Sequence, residues 1–305
     1  MEPLGGLHHL TAITADAPAN LRFYSGTLGM RLVKKTVNQD DVSAYHLFYA
    51  DAEGSPGTDV TFFDWPLTPP NRPGAGSIGP VALRVGSEAS LAYWQARFDE
   101  AGVDHGEIEL VAGLPALPFR DPEGQRLLLV ADGGLAGGTP WQESPVPAAH
   151  QLKGLHAVTV TSARPDLTRL VLVDVMGFRP LQGDWYEVGP GGPGALVRLV
   201  ESQAWGRPGH GGVHHVALRV PDDAAHELWR GRLESAGDGV TPVIDRFYFK
   251  SIYFREPAGS LFEIATDGPG FTADQAPSEL GKGLALPPFL EPRRREIEAR
   301  LAPLA

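Results

Sequence analysis

The chain of 305 residues, with a mass of 32.7 kDa, is long enough for two domains or for one fold made of repeated units. With 42% apolar and 21% charged residues it can bury a substantial core, which excludes disorder for most of its length. A net charge of −11, carried with scattered basic residues and no cysteine, argues against nucleic acid as a partner and excludes disulfides, thiolate metal sites and cysteine nucleophiles. Any metal must therefore be held by His, Asp or Glu. The first residues lack the basic start and apolar stretch of a secretory leader, and no apolar run nears the roughly 20 residues of a membrane span. A cytoplasmic enzyme or binding protein is the expectation, with no membrane partner and with self-association left open.

The 37 Gly and 28 Pro fall between short segments of alternating polarity, which reads as many short strands joined by turns. In chain order, an opening run Gly6-Leu7-His8-His9-Leu10-Thr11 leads into helical spacing over 17–28, where Leu21, Tyr24 and Leu28 share a face, and then into a turn at Gly29. Strand-like runs follow at 45–50 and 60–63. Gly79-Pro80-Val81-Ala82-Leu83 opens a second such series, with a helix over 91–101, a turn at Gly102 and a strand over 126–130. A Gly- and Pro-rich segment, 132–152, reads as a linker. Gly154-Leu155-His156-Ala157-Val158 then opens a third series, with a helix over 166–176, Gly177 and a strand over 195–200. Gly212-Val213-His214-His215-Val216 opens a fourth, with a helix over 224–236, Gly237 and a strand over 251–254. The unit is β-α-β-β-β, used four times. The fold class expected is α+β, with modules one and two in 1–131, modules three and four in 153–268, and a tail over 269–305 that ends in a short helix around 293–301.

Aligning the four opening strands places His9, Pro80, Ala157 and His215 at one position. Aligning the closing strands on the glycine of their preceding turn places Thr61, Leu128, Arg198 and Glu263 at another. Only modules one and four keep metal-binding side chains there. Two His and one Glu make the facial triad that leaves coordination positions open on non-haem Fe(II). Within each His-His pair, strand alternation favours His9 and His215 as ligands and puts His8, His156 and His214 in a second row, as buried or supporting groups. Composition alone predicts fewer than one adjacent His pair, and the two present stand at the same repeat position. His46, His105, His150, His210 and His226 lack that support and read as surface or capping residues.

With these residues in place the chain resembles the vicinal oxygen chelate superfamily, which includes glyoxalases, bleomycin-resistance proteins and extradiol dioxygenases. Within it the chain is similar to the ring-cleaving hydroquinone dioxygenases. The likeness rests on Leu7-His8-His9-Leu10-Thr11, the 45–51 run Tyr-His-Leu-Phe-Tyr-Ala-Asp, Gly54-Ser55-Pro56-Gly57-Thr58, Gly212-Val213-His214-His215, the 246–263 segment and Leu286-Pro287-Pro288-Phe289-Leu290-Glu291. It implies four modules in two paired domains, with Fe(II), or Mn(II) or another divalent ion, on His9, His215 and Glu263. It further implies a small dihydroxylated aromatic substrate and O2. Tyr253, Arg246 and His214 would then be catalytic. Arg246 would offset charge on substrate or oxygen, and Tyr253 or His214 would supply a proton; His8 and Thr11 would help to bind substrate. Two other readings compete. A glyoxalase-type lyase or isomerase usually adds a second carboxylate, where this chain has Thr61, and a metal-free binder of aromatic compounds would leave the three ligands unexplained.

Overall fold

The computed structural model describes residues 2–237 and 239–304. Module one consists of β1 (Leu7–Thr14), α1 (Ala17–Leu21, continued by a π-helical turn Arg22–Thr27), β2 (Arg31–Val37), β3 (Tyr45–Ala50) and β4 (Asp59–Asp64). Module two is β5 (Ile78–Val85), α2 (Glu88–Ala101), β6 (Glu109–Val111), β7 (Leu114–Arg120) and β8 (Arg126–Ala131). Module three is β9 (Leu155–Ser162), α3 (Pro165–Leu170, continued by a π-helical turn Val171–Val175), β10 (Arg179–Pro180), β11 (Trp185–Glu187) and β12 (Leu196–Glu201). Module four is β13 (Gly212–Val220), α4 (Asp223–Ala236), β14 (Ile244–Asp245), β15 (Lys250–Arg255) and β16 (Leu261–Thr266). The expected helix of the tail is a single short turn, α5 (Arg294–Glu298).

Local chemistry sets the helix ends. Asp16, Ser87 and Asp222 accept from the backbone N–H three residues on, satisfying orphan donors at the N-termini of α1, α2 and α4. Gly102 and Gly237, at φ 65° and 82°, end α2 and α4 in the left-handed conformation that only glycine adopts freely.

The strands form two eight-stranded sheets. One runs β14-β15-β16-β13-β1-β4-β3-β2 and joins modules four and one; the other runs β10-β11-β12-β9-β5-β8-β7-β6 and joins modules three and two. Each half of the chain, on either side of the linker, thus gives one module to each sheet. In both sheets the two opening strands pair antiparallel at the centre, β1 with β13 and β5 with β9. The sheets meet where module openings cross: Leu7 N–H donates to the Gly194 carbonyl (2.6 Å) and Leu155 N–H to the Gly57 carbonyl (2.8 Å). Any side chain at Gly6 would put Cβ 2.6 Å from the Gly194 oxygen, and at Gly154 2.7 Å from the Gly57 oxygen, so these junctions require glycine.

Strand alternation sorts each sheet into two faces. Leu10, Val216, Leu218, Ile252, Phe254, Phe262 and Ile264 enter the main core with the helix residues Leu91, Trp94, Phe98, Trp229 and Leu233. On the other face of the first sheet, Val33, Phe48, Ala217 and Ala265 form a separate cluster with Phe249 and Phe271. The second sheet has a matching one of Ala82, Ala116, Val130 and Ala157, flanked by Leu128 and Trp185. These inner faces are two cups of like construction.

Candidate metal centre

The central pair β1 and β13 slips register twice, passing over His8 and His214. The β5–β9 pair skips His156 in the same manner. The second-row histidines are therefore the extra residues of β-bulges, and a bulge breaks the alternation that would have sent neighbours to opposite faces. As a result His8 and His9 touch, Nδ1 to Nδ1, at 2.9 Å, and His214 and His215 at 2.7 Å. The other ring nitrogen of His8 lies 3.1 Å from the Thr266 carbonyl, which can only accept, so Nε2 carries the proton. Burial first, then the neighbouring His9 ring, pushes the His8 pKa down to about 3, which keeps that ring neutral. Its bare Nδ1 takes the Nδ1–H of His9, and the Nε2 lone pair of His9 is left facing inward.

There it meets His215 Nε2 at 3.4 Å and Glu263 Oε2 at 3.3 Å, while His215 Nε2 and Glu263 Oε2 are 2.9 Å apart. All three side chains are buried. Glu263 Oε1 accepts from Ser251 Oγ at 2.5 Å, whereas Oε2 has no hydrogen-bond donor of suitable geometry among the described residues. Burial opposes the charge of Glu263, but His9 and His215 outweigh it and hold the carboxyl well below its usual range. Ligands ~2.1 Å from one ion stand ~3.0 Å apart in octahedral and ~3.4 Å apart in tetrahedral geometry. The donor triangle fits one divalent ion, and it explains both the opposed ring nitrogens and the orphaned oxygen. This is the one group of three or more potential ligands found close enough together among the described residues.

Beside the triad lies a cavity lined by Phe48, Phe63, Phe249, Tyr253, Arg246 and His46, with open space of about 40 Å³. Tyr253 pairs with Glu263 across β15 and β16, and its ring meets His215 edge to face at 5.6 Å. Burial, then the Glu263 charge, raises the phenol pKa, so it carries its proton. Arg246 holds Asp40 through two hydrogen bonds, 3.2 and 2.8 Å, and its guanidinium carbon lies 5.9 Å from the Tyr253 ring centroid. The next residue, Phe247, has φ 71°, a left-handed conformation rare for a bulky side chain. His8, Thr11 and His214 are not part of this lining. His8 and His214 are turned by their bulges onto the ligand rings, and Thr11 Oγ1 is taken up by Thr61 Oγ1 at 2.8 Å.

Comparison with known proteins agrees with this architecture. The model of the Glyoxalase/Bleomycin resistance protein/Dioxygenase superfamily matches residues 6–129 and 154–264. The chain belongs to this superfamily. Among its members, the chain is 44% identical to MhqA of Bacillus subtilis, a candidate ring-cleaving dioxygenase, with 99% of both chains covered. It is 31% identical to a chlorohydroquinone/hydroquinone 1,2-dioxygenase of Sphingobium indicum, with 97% of this chain and 95% of that one covered. A crystal structure of a candidate dioxygenase from Bacillus subtilis superposes with a TM-score of 0.93 at 37% identity, covering 99% of this chain and 98% of the other. Maize glyoxalase I, at 14% identity and a TM-score of 0.61 over 86% of this chain and 92% of the other, shares the superfamily fold.

One residue of the site lies outside the sequence expectations. His46, expected at the surface, is half-buried against the site, with Nε2 2.9 Å from Thr61 Oγ1 and its ring 4.0 Å from Phe48. Burial first, then the His9 and His215 charges, lowers its pKa well below the ordinary value. The repeat contained the signal. In strand register Thr61 is the counterpart of Glu263, and His46 that of Ser251, which bonds Glu263. Extending the four-way alignment to the third strand would have found it.

Proposed function

We propose that the chain is an Fe(II)-dependent ring-cleaving dioxygenase acting on hydroquinone-type aromatics with O2. The observation that carries this reading is the donor triangle, two imidazole Nε2 atoms and an orphaned Glu263 oxygen spaced for one ion. His9, His215 and Glu263 would hold the metal, and the names of the relatives supply the reaction class. Bound Fe(II) would supply a path for electrons between ring and O2 and acidity for the ring hydroxyl.

The protein side of the mechanism lies in what surrounds that ion. Phe48, Phe63 and Phe249 bring aromatic surface to a buried cavity, which favours a flat ring and excludes water. Arg246 stays cationic, because the bonds to Asp40 and the adjacent phenol outweigh the cost of burial. It would offset negative charge as the substrate hydroxyl ionises. Tyr253, protonated and against His215, can give a proton to a departing oxygen and take it back. His8 and His214 act as positioning residues, fixing the ring orientation and proton placement of His9 and His215. The glyoxalase-type reading lacks its second carboxylate, since Thr61 is bonded to Thr11 and His46.

Metal analysis of protein loaded anaerobically with Fe(II), followed by oxygen uptake with a panel of hydroquinones, tests the proposal. About one iron per chain and substrate-dependent uptake are expected. Iron binding without uptake on any hydroquinone, or uptake by iron-free protein, would refute it.

A further inference from the structure

The second cup, on the inner face of the β5–β9 sheet, keeps the frame of the metal centre and reverses its charge. Where the first sheet has His9 and His215, the second has Pro80 and Ala157. The position of Glu263, set by the closing-strand register, is taken by Arg198. Trp185 stands opposite Arg198 as Tyr253 stands opposite Glu263. The cavity of the first cup is narrow, about 40 Å³, whereas the second cup is a more open depression of about 440 Å³, within the range of ordinary small-molecule sites.

The cations of this cup are not equally neutralised. Arg198 pairs with Asp184 at 2.9 Å and Arg120 with Asp104 at 3.3 Å, with Glu109 exposed at the rim. Arg126 is half-buried and donates to the Gly79 carbonyl at 2.8 Å, with no carboxylate within ion-pair distance among the described residues. Burial, then the like charge of Arg120, depresses its pKa, the mark of a guanidinium short of a counter-charge. Leu128 and Pro80 give the cup an apolar floor and Trp185 a flat wall, over which Arg198 lies 5.8 Å from the ring centroid.

We propose that this second cup binds a small planar carboxylate, its anionic end on Arg126 and its flat body against Trp185 and the apolar floor. A guanidinium matches a carboxylate with two parallel hydrogen bonds, which a hydroxyl or an amide cannot reproduce. The apolar floor favours an organic acid over a strongly hydrated inorganic anion. The inference is independent of the chemistry proposed at the metal centre, because none of its residues touches that site.

Calorimetric titration of the full chain with benzoate, as an aromatic acid, and with muconate, as an open-chain one, tests it. Binding of at least one is expected, and which one binds identifies the source of the carboxylate. Benzamide, of the same shape without the charge, should not bind. Arg126→Met should weaken binding by about tenfold or more, the usual effect of losing a charged hydrogen-bond pair, and Arg126→Lys should restore part of it. His215→Ala should bind as the parent does, which separates this cup from the metal centre. Near-UV circular dichroism checks that each variant is folded, and Trp185→Leu gives a second route should Arg126→Met not fold. The proposal is overturned by absence of binding to the parent, by equal affinity for benzamide, by unchanged affinity in a folded Arg126→Met or, should that variant not fold, in Trp185→Leu, or by loss of binding in His215→Ala.

Discussion

The two sheets have the same strand order and the same central bulges, yet one cup closes around a charged triad and the other stays open. The bulge at His156 persists in the second sheet although its neighbour is Ala157, which cannot ligate. Backbone geometry at this position is therefore a property of the fold and does not depend on metal. Ligation depends on three side chains. Pro80 and Ala157 remove two of the donors, and Arg198 in the place of Glu263 reverses the charge, turning a site that favours a cation into one that repels it.

The comparison is broken most directly at those side chains. His9→Ala, His215→Ala and Glu263→Ala should each reduce iron from about one per chain to near zero and abolish oxygen uptake, since three donors are the whole protein contribution to the ion. His156→Ala should leave both unchanged. Plasma emission analysis of the loaded proteins reads this, and iron loss in the His156 variant would contradict the confinement of the metal to the first sheet. Next in size, Tyr253→Phe should keep iron and fold while turnover falls by roughly a hundredfold, the scale of one acid–base group. Steady-state oxygen uptake on iron-quantified enzyme tests it, and unchanged turnover would reduce the phenol to packing.

His214→Phe removes the Nδ1 partner of His215 while keeping a ring in the bulge. Iron affinity, measured by competition with a chelator, should fall by about 10- to 100-fold. Arg246→Met should raise KM or lower turnover with iron retained. The smallest effect belongs to Asp40→Asn. This residue is 72% exposed in its side chain, so its pair with Arg246 contributes little, and a change in KM of no more than a few-fold is expected.

Much of this architecture was legible in the sequence because the fold repeats. Four copies of the unit mark the position of each opening strand, and the strand-like run at 45–50 coincides with β3. The closing-strand alignment, made on turn glycines alone, matches the register: Thr11 lies beside Thr61, Ala82 beside Leu128, Thr159 beside Arg198 and Ala217 beside Glu263. What escaped depended on departures from regular periodicity. Alternation cannot foresee a bulge, so it marks His8 and His214 as buried or supporting groups without showing that they touch the neighbouring rings. Helical spacing does not distinguish an α-helix from one that ends in a π turn, as α1 and α3 do. His46 was passed over because it had no histidine partner in another module, although its counterpart Ser251 does the same work with a shorter side chain.

The tail adds a contact that ordinary patterning hides. Lys34, on β2, is fully buried, and its ammonium reaches the Phe271 carbonyl (3.0 Å), Asp274 (2.7 Å) and Gln275 (2.5 Å). Asp274 also accepts from Tyr248 at 2.8 Å. The segment after the last strand thus neutralises a charge sealed under the first sheet.

The pairing of module one with module four sets an order of events on the ribosome. The second sheet can close once β12 has emerged, since all its strands precede Glu201. By then β1 has been synthesised for most of the chain, but its partner β13 has not, and Lys34 still lacks the residues that bury it. Domains generally complete in the order in which they are made. Here the first module made belongs to the last sheet finished. Glu263 comes almost at the end of that sheet, so a nascent chain holds no complete donor triangle until β16 has been made.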